Sequence, residues 1–156
     1  MEVRLAVPAD DAPLEELRAV LDEESTFMLM EPGERAVPDE ERPRLSYRVV
    51  AVEGGRPVGF VSVSVMPYAR VRHRGHVVMG VRASHTGRGV GRALLEAAVA
   101  EARSRGLTRL ELTVMTHNRR ALALYTRCGF QVEGLRRASA IVRGDTVDEY
   151  YMGLLL

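Results

Sequence analysis

The sequence predicts a mixed α/β domain with one central, mostly antiparallel sheet flanked by helices. Three observations carry this. Short apolar or alternating runs recur between two strong helical patterns, in the order β α (α) β β β α β α β β. Helices separate some of the strands and tight turns separate the others, which predicts parallel pairs at the former and hairpins at the latter. The length, 156 residues, suits one core, so a single domain over 1–156 is expected.

The elements follow in order. "VRLAV" reads as a first strand. "PADDAPLEELRAVLDEE" reads as a helix: Asp10 or Asp11 can cap it, Pro13 suits its first turn, and Leu14, Leu17 and Leu21 share a face. The stretch "STFMLMEPGERAVPDEERPRL" is irregular and is expected to hold a loop and a short second helix. Its Phe27–Met30 cluster reads either as core or as a pocket lid. "SYRVVAVEGGRPVGFVSVSVMPY" is a hairpin turning at its glycine pair. "RGHVVMGVR" is apolar at its centre, as expected of a strand buried on both faces. "RALLEAAVAEARSRG" is a helix with Leu94, Leu95, Val99 and Ala102 on one stripe, ended by Gly106. "TRLELTVM" alternates as a strand, and "NRRALALYTRCGF" is a short helix with Asn118 as N-cap and Gly129 past its end. Two closing strands flank "RGD".

Composition excludes several function classes. Net charge is +1, which argues against a strongly basic nucleic-acid binder. No apolar run is long enough to span a bilayer. "MEVRLAVPADD" carries an acidic stretch and no long apolar segment, unlike a secretory signal, so the expected compartment is the cytoplasm. The single cysteine, Cys128, excludes an internal disulfide; it reads as a small buried residue rather than as an acyl carrier. His73, His76, His85 and His117 show no metal-ligand spacing, so no metal is expected.

The stretch "HTGRGVGRALL" carries the chemistry. A buried strand runs into it and a helix runs out. Gly87, Gly89 and Gly91 leave the backbone bare where a helix start offers unpaired N–H groups and partial positive charge. Phosphate oxygens can approach such a backbone closely, and Arg88 and Arg92 can add charge. All 22 basic residues are arginine, so a P-loop lysine is excluded. The spacing is G-x-G-x-G rather than the dinucleotide G-x-G-x-x-G. Glu111 does lie about 20 residues on, as that fingerprint asks, but within its strand and with only 45 residues after it.

"TGRGVG" resembles the central motif of the GNAT acetyltransferases, Gln/Arg-x-x-Gly-x-Gly/Ala between a strand and a helix, with Thr86 departing from its first position. "NRRALALYTRCGF" and the closing "GLRRASAIVRGDTVDEYYMGLLL" also resemble that family, most closely its bacterial members that acetylate free amino acids or small amines. The resemblance is strongest over 76–156. It implies a splayed strand pair holding acetyl-CoA as cosubstrate, and transfer of the acetyl group directly to a small-molecule amine. It also implies that Thr86, Gly87, Arg88, Gly89, Val90, Gly91 and Arg92 hold the pyrophosphate. Met79, Gly80 and Val81 would pair with the pantetheine arm, a backbone N–H there polarising the thioester carbonyl. Asn118 would contact the coenzyme, and Tyr125 would lie near its sulfur as the general acid. Without the resemblance, Asn118 reads as a plain N-cap and Tyr125 as a core aromatic. Candidates for the general base are Glu24, Glu31, Glu111, His85 or a water chain. Glu111 reads equally as an outward-facing strand carboxylate. Members of the family often dimerise, and the C-terminal strand offers a contact for a homodimer.

Overall fold

The structure, a computed structural model, describes residues 12, 19–20, 22–24, 31–42, 44–53 and 56–156. The expected first strand, the leucine stripe of the first helix and the Phe27–Met30 cluster lie outside the described residues. Residues 12, 19–20 and 22–24 are helical. Contacts divide the chain into two units, Met1–Arg44 with Pro67–Val71, and Leu45–Met66 with Arg72–Leu156.

In the first unit, the described residues are tied together by ion pairs. Arg35 Nε donates to the buried Asp22 carboxylate at 2.6 Å. Arg70 donates to both oxygens of Glu31, at 2.6 and 2.9 Å. The Arg42 guanidinium lies 4.8 Å over the Tyr68 ring and donates to the carbonyls of Glu34 and Val37. The expected second helix is instead two single 3-10 turns, Glu34–Ala36 and Asp39–Glu41. Pro38 lies between them, and a residue without an N–H cannot carry a helix across that point.

The second unit is a six-stranded sheet with two helices. Its strands are β1 (Tyr47–Glu53), β2 (Arg56–Ser64), β3 (Arg74–Val81), β4 (Arg109–Met115), β5 (Gln131–Val142) and β6 (Asp145–Leu155). They lie in the order β1-β2-β3-β4-β6-β5. Neighbours are antiparallel except β3 and β4, which are joined through helix α1 (Val90–Ser104) and pair in parallel. Helix α2 (Arg119–Arg127) links β4 to β5. A mixed, mostly antiparallel sheet is therefore what the chain forms.

Strand alternation gives the sheet one buried face. Val61, Val63, Val77, Leu110, Leu112, Val114 and Met152 point from it into the core, against Leu94, Leu95, Ala98 and Ala102 of α1. Each large side chain fully buried there, such as Leu95 or Phe130, contributes roughly 1.5–3 kcal/mol. The Tyr47 hydroxyl donates to the Ala98 carbonyl at 2.5 Å, fastening β1 beneath α1.

β3 departs from the expectation of burial on both faces. Gly75 and Val77 face the core, but Val78 is 53 % exposed. Its apolar run is a consequence of side-by-side β-branched residues, not of two covered faces. On that second face it lies beside Ser62 of β2, with Phe60, itself partly exposed, next to Gly80.

Candidate active site

β3 and β4 form a fork. They share three registered pairs, Arg74 with Arg109, Gly75 with Leu110 and His76 with Glu111. Beyond His76, β3 runs on to Val81 still paired with β2. Beyond Glu111, β4 runs on to Met115 still paired with β6. The inner edges of both strands have no strand partner over this distance, so backbone groups of Val77–Val81 and Leu112–Met115 line the opening. Unpaired backbone donors and acceptors seek partners. A linear ligand bearing amides could supply them.

The glycine stretch lies at the open end of β3. A 3-10 turn, Ala83–His85, follows that strand. Thr86 closes the turn by donating both its N–H (3.3 Å) and its hydroxyl (2.8 Å) to the Ala83 carbonyl. Its N–H is thus spent within the protein. Among the described residues, the six N–H groups from Gly87 to Arg92 donate to no protein acceptor; the first donor of α1 is Ala93, to Gly89 O at 3.0 Å. Gly87 and Gly89 have φ of 76° and 82°. These left-handed positions are open to glycine without strain and turn successive N–H groups to one side. Gly89 is also the N-cap of α1 and offers no side-chain acceptor, so the positive end of the helix is left bare.

The two arginines of the stretch are held by carboxylates. Arg88 donates to Glu53 at 2.9 Å, and the other Glu53 oxygen accepts from His85 Nε2 at 2.6 Å. Arg92 donates to Glu96 one turn along α1, at 2.7 Å. These exposed ion pairs are weak, so a phosphate at the helix start can compete for either guanidinium.

Helix α2 meets this region through Gly91. A Cβ there would stand 3.1 Å from Leu124 Cδ2, 3.7 Å from Met79 Cε and 3.8 Å from Val81 Cγ2. The first turn of α1, the end of β3 and the outer half of α2 therefore converge. Val90, the first residue of α1, packs against the same core. Tyr125, beside Leu124, is buried, with its ring centroid 5.9 Å from that of Phe130. Burial pushes its phenol above the ordinary value, so the hydroxyl keeps its proton throughout the neutral range. Asn118 is exposed and its side-chain oxygen accepts from Ala121 N at 3.2 Å, capping α2. It precedes the helix and lies in solvent, whereas Tyr125 is buried. Gly80 leaves room for the Phe60 ring, 3.2 Å from where its Cβ would lie.

Glu111 lies at the base of the fork and is buried. Arg109 Nε donates to it at 3.0 Å, and Arg74 stands 3.8 Å away. Burial pushes its carboxyl up, but the Tyr151 hydroxyl, Arg109 and Arg74 outweigh that and hold it below the ordinary 4.5. Arg109 also clasps Glu133 of β5, over Gly153, where any side chain would collide with both. The folded state thus favours ionised Glu111. Its contribution is fully present above pH 4.5 and is lost as pH falls below that through the depressed value. Glu111→Gln is expected to cost about 1–3 kcal/mol at neutral pH, less than for a fully buried pair because Arg74 and Arg109 are partly exposed. It should also flatten the acid limb of stability. Urea melts at neutral and acid pH check this; parallel losses in both proteins would refute it.

The other candidates for the base are placed as follows. Glu31 is held by Arg70, whose guanidinium keeps its carboxyl low, and Glu24 is exposed; both belong to the first unit. Both ring nitrogens of His85 are engaged, by Glu53 and by Ser84 Oγ at 2.8 Å. Cys128 is half-buried rather than buried, and its thiol is pushed up by burial. It lines a separate cleft of about 490 Å³ between α1 and the end of α2, with Leu95, Val99, Arg127 and Leu154. No residue of the fork or the glycine stretch lines that cleft. Among the described residues no group of three His, Cys, Asp or Glu could hold a metal ion, and no helix is long and apolar enough to cross a membrane.

The profile of the Acetyltransferase (GNAT) family matches residues 14–130. The chain belongs to the GNAT family. An L-amino acid N-acetyltransferase, AaaT of Escherichia coli, is 30% identical to this GNAT chain over 113 residues, covering 72% of it and 69% of the relative. The N-alpha-acetyltransferase RimI of Mycobacterium tuberculosis is 39% identical over 111 residues, 69% and 65% of the two chains. A mycothiol acetyltransferase of Jonesia denitrificans is 45% identical over 78 residues, which are half of this chain and 24% of that protein. Among solved structures, a GNAT acetyltransferase from Streptococcus pneumoniae has a TM-score of 0.71 and 29% identity, with 98% of each chain covered. YncA of Salmonella typhimurium, solved with acetyl-CoA, shares the fold at a TM-score of 0.68 and 24% identity, covering 98% and 92%.

Two features of this GNAT domain could not be read from the residues alone. The ion-paired surroundings of Glu111 combine Arg109, two residues away on β4, with Arg74, which the β3–β4 register brings beside it. The half-buried His76 has no distinguishing spacing in the sequence, and only strand pairing sets it opposite Glu111 at the closed end of the fork.

Proposed function

We propose that the protein is an acetyl-CoA-dependent N-acetyltransferase acting on the primary amine of a small molecule, with free L-amino acids as the leading acceptor class. The observation that carries this is the run of six unspent N–H groups, Gly87–Arg92, at the mouth of a strand fork. The run suits a pyrophosphate, and the inner edge of β3 at Met79, Gly80 and Val81 suits the amides of a pantetheine arm. Bound acetyl-CoA supplies an activated acetyl group as its thioester. An N–H of β3 then polarises the thioester carbonyl. Tyr125, protonated at neutral pH, gives its proton to the departing thiolate. Asn118 keeps its amide NH₂ available to the coenzyme while its oxygen caps α2.

The similarity to AaaT favours amino acids. The similarity to RimI favours a second reading, the N-terminal amine of a protein. A thiol-release assay with acetyl-CoA against L-amino acids, spermidine and short peptides separates them, with calorimetric acetyl-CoA titration alongside. Turnover of free amino acids is the expected result. Turnover of peptides alone would establish the second reading, and binding without turnover would leave a coenzyme-binding domain. The chain is expected to act as one domain in the cytoplasm, with a homodimer through its C-terminal strand.

A further inference from the structure

We infer that His76 is the general base that takes the proton from the acceptor amine; this rests on the acetyl-transfer reading above. The sheet register places Ser64, His76, Glu111 and Gly153 on one rung across β2, β3, β4 and β6. It is the last rung before β3 and β4 part, so His76 and Glu111 form the floor of the fork on the face opposite α1. The next residues of that face, Val78 on β3 and Thr113 on β4, no longer pair with each other.

The two titratable groups of this floor differ in what holds them. Glu111 is buried and engaged by Arg109, Arg74 and Tyr151. A carboxylate so committed is a poor proton acceptor, since protonation would forfeit these partners. The His76 ring is half-buried and makes no hydrogen bond or ion pair among the described residues. It therefore has a nitrogen lone pair to offer without first breaking a contact. The charged and titratable groups that face it are Arg74 on its own strand, Glu111 with Arg109 on β4, and Tyr151 on β6 behind Glu111; Ser64 flanks it on β2. Glu24, Glu31 and His85 are each exposed or engaged elsewhere.

The proton balance is complete. His76 takes one proton from the acceptor ammonium. The free amine attacks the thioester carbon; the C–N bond forms and the C–S bond breaks. The thiolate takes the Tyr125 proton, the second proton leaving nitrogen restores Tyr125, and His76 releases its own to solvent. One amide, one thiol and one net proton result.

The test uses His76→Gln in the full chain, with acetyl-CoA and whichever amine of the panel the unsubstituted chain acetylates. The expected result is a kcat lower by about 10²-fold, an acetyl-CoA Kd within about twofold, and loss of the limb in which kcat at saturating amine rises with pH. His76→Ala should recover turnover when imidazole is added, which a merely structural role would not produce; this variant also serves if His76→Gln fails to fold. A His76→Gln protein that keeps its kcat within about twofold, or keeps the rising limb, overturns the inference. If the unsubstituted chain acetylates no amine of the panel while binding acetyl-CoA, the transfer reading itself fails and this inference falls with it.

Discussion

Gly89→Val is expected to abolish acetyl-CoA binding in a protein that still folds. Gly89 has φ of 82°, and a Cβ built on it would meet nothing within 4 Å. The substitution therefore creates no clash. It asks a β-branched residue to hold a left-handed conformation, at a cost of roughly 1–2 kcal/mol. The loop relieves that cost by rotating the peptides on either side. Rotation redirects the N–H groups of Gly89 and Val90, and the converging donors are lost. A fall of about 100-fold or more in affinity is expected by calorimetry, with an unchanged circular dichroism spectrum. Gly89→Asn is the informative companion, because asparagine tolerates this region; it should retain most of the binding. Gly91 is a different case, since a Cβ there would press on Leu124 at 3.1 Å and disturb packing rather than backbone. Normal titration by Gly89→Val would remove the loop from the coenzyme site.

Tyr125→Phe is expected to lower kcat by about 10²-fold while the acetyl-CoA Kd moves less than about threefold. The ring contact with Phe130 survives the change, so the core is preserved. What is lost is a hydroxyl that burial keeps protonated. Without that donor the C–S bond must break to an unprotonated thiolate, a poorer leaving group than the thiol. Steady-state kinetics with a turned-over amine, combined with titration, check this. An unchanged kcat would exclude Tyr125 as the acid and leave it as a core residue.

Much of this was legible in the residues, for physical reasons that differ from element to element. Both helices of the second unit were readable because a 3.6-residue stripe and end signals coincide: Leu94, Leu95 and Ala102 are buried, Asn118 caps α2, and Gly106 and Gly129 follow the helix ends. The glycine stretch was readable because three glycines before a helix have few structural uses. The exposure of Val78 was not legible, because an apolar run does not say whether a second layer covers it. The fork has no signal in the pattern of apolar and polar residues, since it consists of pairs that are not made; the resemblance to the GNAT family is what implies it. Glu111 was ambiguous for the same reason: its partners Arg109 and Arg74 sit nearby in the sheet, but whether a carboxylate is free or clasped depends on register. His76 stood among four scattered histidines until pairing set it opposite Glu111.

The brevity of the β3–β4 ladder has a mechanical consequence. Three strands on one side and three on the other meet across only three rungs, where their other seams carry six to eight. The sheet is thus two stiff leaves bound by a short spine. Anything that lies between the leaves and hydrogen-bonds to both acts as stitching. It would close the seam of the sheet with the fewest registered pairs. Under the proposed function the coenzyme is that stitching, so its binding would also join the two leaves.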